Sequence, residues 1–128
     1  MSSKVPADLK YAKSHEWVRV EGQVATVGIT DHAQHELTDV VFVELPSVGR
    51  KVAAGEACAV VESVKTASDI YSPVSGEITA INDKVVAKPS LVNDQPYEDG
   101  WFYKIRLGSS AEAQALMSSA DYSKSIGG

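Results

Sequence analysis

Lys65 is the residue of this chain whose position points most clearly to chemistry. It stands almost midway between two turn-making glycines in Gly55-Glu-Ala-Cys-Ala-Val-Val-Glu-Ser-Val-Lys65-Thr-Ala-Ser-Asp-Ile-Tyr-Ser-Pro-Val-Ser-Gly76. An apolar run at 57–61 precedes it, and Ile70, Tyr71 and Val74 follow, which predicts a hairpin with Lys65 at its tip. An exposed lysine is cationic at neutral pH and a poor nucleophile, so it does not catalyse unaided. A separate enzyme that brings an activated acid can acylate it. The four-carbon stem then becomes the start of a tether, and about ten single bonds from Cα to the end of a lipoyl-type group reach roughly 13 Å. Stiff strands on both sides confine the disorder to that tether and keep its effective concentration high at a docked active site. The chemistry implied is carriage of a covalently attached group.

Glu62 and Asp69 bracket the tip and are expected to form part of the surface that an attaching enzyme recognises. His32 and His35 lie three apart beside Asp31 and Glu36, but two histidines on a short helix without a third committed ligand read as polar surface, and no metal is expected. His15, next to Trp17, reads as structural. Cys58, inside Ala57-Cys-Ala-Val60, reads as a small buried hydrophobe. Dinucleotide-binding glycines, a phosphate-binding loop and a nucleophile elbow are all missing from the sequence. The chain is therefore expected to be a non-enzymatic carrier.

The elements that must position Lys65 are short strands. Alternation over 15–20 stops at Glu21-Gly22 and resumes over 24–29, predicting a hairpin with Ala25, Val27 and Ile29 on one face. A short helix follows over 30–37, capped by Thr30 or Asp31. Strands are predicted over 40–45, on both sides of Lys65, and over 77–81. Asn82-Asp83 marks a turn, and 88–97 reads as a loop with one helical turn at most. The strand 101–107 places Trp101, Tyr103, Ile105 and Leu107 on the buried face. Ser109-Ser-Ala-Glu112 reads as a capping box that opens a helix through about residue 120, docking Leu116 and Met117. Residues 1–14 are expected to be loosely ordered and 124–128 frayed. The fold class is mainly β, a sandwich or flattened barrel in one domain over 1–128, with short helices and a C-terminal helix as attachments.

The net charge of −5, from 12 basic and 17 acidic residues, argues against nucleic-acid binding. It suits a carrier steered to basic patches on partner enzymes. One cysteine excludes an internal disulfide and a cysteine-rich zinc site. No window approaches the roughly 18 apolar residues of a membrane span, and the first residues do not resemble a signal or transit peptide. These features predict a soluble protein with no membrane partner, in bacterial cytoplasm as first choice and mitochondrial matrix as second.

Several motifs together resemble the H protein family of the glycine cleavage system. They are Glu62-Ser-Val-Lys65-Thr-Ala-Ser-Asp-Ile-Tyr-Ser-Pro-Val-Ser-Gly76, Gly28-Ile-Thr-Asp-His-Ala-Gln-His-Glu-Leu37, Val41-Phe-Val-Glu-Leu-Pro46 and Gly100-Trp-Phe-Tyr-Lys-Ile105. They occur in the family's order across nearly the whole chain, about 10–122. The resemblance implies a lipoyl/biotinyl-carrier-like barrel-sandwich hybrid with lipoate joined by an amide to Lys65. It also implies a shuttle in glycine catabolism with three partners besides the lipoylating enzyme. A pyridoxal-phosphate glycine decarboxylase (P protein) loads an aminomethyl group, a folate-dependent aminomethyltransferase (T protein) unloads it, and dihydrolipoamide dehydrogenase (L protein) reoxidises the dithiol. The family shelters its loaded arm in a surface cleft, and the helix 31–37, through His35 and Glu36, is expected to contribute to it.

Related readings are weaker. A biotin carrier would flank its lysine with methionines, where this chain has Val64 and Thr66. The lipoyl domain of another multienzyme complex would show an acidic residue directly before the lysine and a longer chain with linkers. An H-like protein relaying lipoate to other enzymes would use the same residues. The reading from a different class is an interaction module with an unmodified Lys65, which the intact mass of natively expressed protein separates from a carrier.

Overall fold

Apolar side chains at every second position make one face of each hairpin unstable in water, and the hairpins close on one another to bury it. The computed structural model describes residues 4–127. Its strands are β1 (Lys10–Tyr11), β2 (Glu16–Glu21), β3 (Val24–Ile29), β4 (Val40–Glu44), β5 (Lys51–Val52), β6 (Ala57–Ser63), β7 (Ala67–Tyr71), β8 (Gly76–Ile81) and β9 (Tyr103–Leu107). The helices are α1 (Asp31–Leu37), α2 (Asp83–Ala87), α3 (Leu91–Asp94), α4 (Ser110–Gln114) and α5 (Ser119–Ser125). One sheet runs β1-β2-β3-β9-β8-β5 and the other β4-β6-β7, with antiparallel pairing throughout. The mainly-β architecture with short helices agrees with the pattern read from the sequence.

Register places like with like. Val18 faces Val27 across β2 and β3, Ile78 faces Ile105 across β8 and β9, and Val43 faces Val61 across β4 and β6. These residues are buried in one core shared by the two sheets, where each aliphatic side chain contributes about 1.5–3 kcal/mol relative to exposure. A second cluster joins Leu9, Tyr11, Trp17, Tyr97 and Tyr122.

Several local expectations change. The segment expected to be loose through residue 14 supplies β1, with Leu9 and Tyr11 buried, because Tyr11 finds a stacking partner in Tyr122. Residues 1–3 lie outside the described residues. The single helix expected over 109–120 divides into α4 and α5, since Met117 and Tyr11 exchange two backbone hydrogen bonds of 2.9 Å and Ser118 caps the second helix. Ser109 caps α4, but Glu112 does not reach back to it; its carboxylate accepts from the N–H and hydroxyl of Ser75 instead. The expected frayed tail is shorter: Lys124 and Ser125 finish α5, and Ile126 packs on the second cluster, while Gly128 lies outside the described residues. Phe102, absent from the face predicted for its strand, is fully buried, and Trp101 only partly.

Gly76, expected as a turn residue, instead opens β8. Its φ is not positive; a Cβ there would collide with the Arg106 carbonyl oxygen across β8 and β9. Close approach of two strands requires the glycine, whereas Gly55 at the other end of the segment does adopt φ +86°.

Candidate functional site

The tip of the β6–β7 hairpin lacks glycine, asparagine and proline, and a serine does their work. Ser63 Oγ accepts from the backbone N–H of Lys65 and of Thr66, both at 3.1 Å, while the Ser63 N–H donates to the Thr66 carbonyl at 2.8 Å. The N–H of Val64 donates to the Asp39 carbonyl at 3.0 Å, tying the bend to the start of β4. Backbone bonds thus fix the bend while its side chains stay in solvent; Val64 is 70% exposed, and Lys65 is exposed as well. The Lys65 ammonium donates to the Glu36 carbonyl oxygen at 3.1 Å, in the last turn of α1 where free carbonyls favour a cation.

Beside that carbonyl a cleft of about 150 Å³ opens between α1 and the β7 edge. Its polar lining is Ser14, His15, Glu36, Ser68 and Asp69, over a floor that includes Ile29 and Val61. A larger hollow of about 420 Å³ lies by Asp31 and Tyr97, but Glu36, which holds Lys65, lines the smaller cleft. A drug-sized free ligand fills about 300 Å³ or more. The cleft therefore suits the end of a tethered group.

Next to Ser14 and His15 the chain buries a carboxylate. Glu16 opens β2 opposite Ile29, on the face that Val18 and Val27 share, and is 1% exposed. Burial pushes its pKa up to about 7, opposed by hydrogen bonds from the Ser14 hydroxyl and the Tyr71 N–H, the latter at 3.2 Å. The Tyr71 N–H belongs to an edge strand, so Glu16 also satisfies a donor that no neighbouring strand covers.

Residues 9–127 match the model of the family described as glycine cleavage H-protein. The chain belongs to that family. It is 59% identical to a glycine cleavage system H protein of Enterobacter sp. (strain 638), over 94% of each chain. It is 55% identical to glycine cleavage system H protein 2, mitochondrial, of Arabidopsis thaliana, covering 96% of this chain and 79% of that one. The solved structure of a glycine cleavage system H protein from Mycobacterium marinum superposes with a TM-score of 0.89 at 37% identity, over 96% of this chain and 99% of that one.

In this H-protein family chain the residues singled out from the sequence divide into two sets. Glu36 and Asp69 both line the cleft, and the Lys65 ammonium reaches the Glu36 carbonyl. Glu62 stands exposed opposite Ala67, one strand position from the bend, and neither it nor Asp69 forms an ion pair with Lys65 among the described residues. His35 points elsewhere: its Nε2 lies 3.5 Å from an Asp31 carboxylate oxygen, and it is not part of the cleft lining. His32 lies 3.5 Å from Glu36 in the same i, i+4 manner. Cys58 is buried and burial raises its thiol pKa, in keeping with a small core hydrophobe. Glu16 and Ser14 went unnoticed in the sequence. Their one signal was parity, since Glu16 shares the inward face with Val18 two residues on.

Proposed function

We propose that this chain is the lipoyl carrier of a glycine cleavage system, with lipoate attached through an amide to the Lys65 nitrogen. The observation that carries the reading is the Lys65 amine on a rigid exposed bend, hydrogen-bonded to the carbonyl of Glu36, which lines a cleft of about 150 Å³. When bound, the group would supply a disulfide that is reduced as one sulfur takes the aminomethyl remainder of glycine at the P protein, is left as a dithiol at the T protein and is reoxidised to the disulfide at the L protein.

The residues of the chain divide the remaining work. The Ser63-capped bend presents the amine to the lipoylating enzyme without spending binding energy on ordering a loop, and Glu62 and Asp69 offer it exposed carboxylates on β6 and β7. Glu36 and Asp69 give the cleft the acceptor character that a cationic end requires, while Ile29 and Val61 form an apolar floor beneath it. Catalysis belongs to the partner enzymes. We place the protein in bacterial cytoplasm; the matrix is the second reading, favoured by the Arabidopsis relative named as mitochondrial.

Lys65→Arg tests the proposal. The variant should fold normally, lack the lipoyl mass increment and reduce glycine-dependent carbon dioxide exchange to background in a reconstituted system. Undiminished exchange would refute the assignment.

A further inference from the structure

Tyr122 takes no part in the function as proposed, yet its hydroxyl reaches into the corner that lines the cleft. The residue is fully buried on α5 and stacks on Tyr11 with ring centroids 4.7 Å apart. Its oxygen lies 2.7 Å from Thr30 Oγ1 and 2.8 Å from His15 Nδ1. Thr30 Oγ1 already accepts from the Ala33 N–H as the cap of α1. Thr30 is also fully buried, so its own proton must go to the Tyr122 oxygen. The Tyr122 proton then goes to His15 Nδ1. That direction leaves His15 uncharged with its proton on Nε2, which has no hydrogen-bond partner among the described residues.

The His15 backbone is constrained to match. Its φ is +74°, one of two positive values outside glycine among the described residues. Its N–H donates to the Ala12 carbonyl and its own carbonyl accepts from the Thr30 N–H, both at 3.0 Å. Left-handed backbone at a non-glycine residue persists where surrounding bonds over-determine it, and it recurs at functional positions.

We propose that His15 is a positioning residue for the tethered group, and that Tyr122, from the C-terminal helix, holds its ring in the single tautomer that offers Nε2–H to the cleft. The inference rests on the cleft being the resting place of the arm. A neutral ring leaves Glu36 and Asp69 to receive a cationic end, whereas a protonated His15 would set a like charge beside it. The ionisable groups around the ring are His32 and Glu36 on α1, Tyr122 on α5, Asp69 on β7 and Glu16 on β2. Burial, and then His32, lower the His15 pKa, with Glu36 opposing, so the ring is neutral at pH 7 and charges on acidification.

Two measurements test this on the full chain. Nitrogen-15 NMR of the imidazoles at pH 8 should show His15 as the Nε2–H tautomer, and Tyr122→Phe should convert it to a mixture. The lipoylated chain, loaded with glycine by the P protein and then freed of both, should lose its one-carbon unit as formaldehyde at least threefold faster in His15→Asn and in Tyr122→Phe. The acid-side acceleration of that loss should move to higher pH in Tyr122→Phe. Asparagine tolerates positive φ and phenylalanine keeps the stack on Tyr11, so melting temperatures verify that both variants are folded. An Nδ1–H tautomer in the unsubstituted protein overturns the proposal, as do unchanged lifetimes in both variants. A loaded arm that decays in the unsubstituted protein as fast as the adduct of free lipoamide removes the cleft reading itself, and this proposal with it.

Discussion

The bend at Lys65 and the corner of His15, Glu16 and Trp17 hold their residues in place by opposite means. At the bend, four backbone-directed hydrogen bonds centred on Ser63 and Val64 fix the main chain, and the Val64 and Lys65 side chains contribute almost no buried area. At the corner, Trp17 is fully buried with its indole N–H donating to the Pro96 carbonyl at 2.8 Å, and Glu16 is enclosed with its carboxylate satisfied on both oxygens. A bend built in this way can change its side chain, or have it acylated, without disturbing the fold. A corner built from burial couples every change to stability and, through Glu16, to pH. A carrier needs both kinds of construction: a presenting end indifferent to its load, and an enclosing end that responds to it.

The contrast can be broken most forcefully with Trp17→Ala, which should cost about 3–5 kcal/mol of folding free energy through the cavity and the lost hydrogen bond. Lys65→Ala should change stability by less than about 0.5 kcal/mol. Chemical denaturation of both would show whether the two regions really differ; similar losses would end the distinction.

Glu16→Gln sharpens it next. The folded pKa of about 7 lies above the ordinary 4.5, so folding takes up a proton between those values. The associated stability is complete below pH 4.5 and is lost as pH rises through about 7. Glutamine can still accept from the Tyr71 N–H. The variant should therefore be more stable than the unsubstituted protein at pH 8 by about 2–3 kcal/mol, with the difference shrinking towards pH 4.5. A gap that stays constant from pH 5 to pH 8 would show that Glu16 does not titrate in this window.

A smaller effect than at Trp17 or Glu16 is expected at Ser63. Ser63→Ala removes the acceptor for two backbone N–H groups and should cost about 1 kcal/mol. Its larger consequence should be slower lipoylation, because Lys65 is then presented from a mobile loop. Equal rates of lipoylation would mean that the strands alone orient the lysine.

The bend and the helix beside it were legible in the sequence because their signals are local. Thr30 before Asp31 marks a cap three residues from its donor, and the apolar runs on either side of Lys65 lie within one hairpin. The corner was much less so. Glu16 beside Trp17 looks like any charged residue at a strand start until Ile29 and Tyr71, the latter 55 positions away, enclose it. The division of the last helix failed for the same reason, since the bridge that interrupts it joins Met117 to Tyr11. His35 and Glu36 are neighbours on one helix, and no local rule says which of them turns to the cleft; the i, i+4 contact of His35 with Asp31 decides it.

Alternation, caps and turn residues determined that the chain makes short strands with a lysine on a bend, because those preferences act over two to four residues and need no partner. Which strand edge closes against α1, how deep Glu16 sits and where the Tyr122 hydroxyl points were decided only when distant segments met. Burial, and the direction of hydrogen bonds between residues 92 or 107 positions apart, are properties of the assembled core.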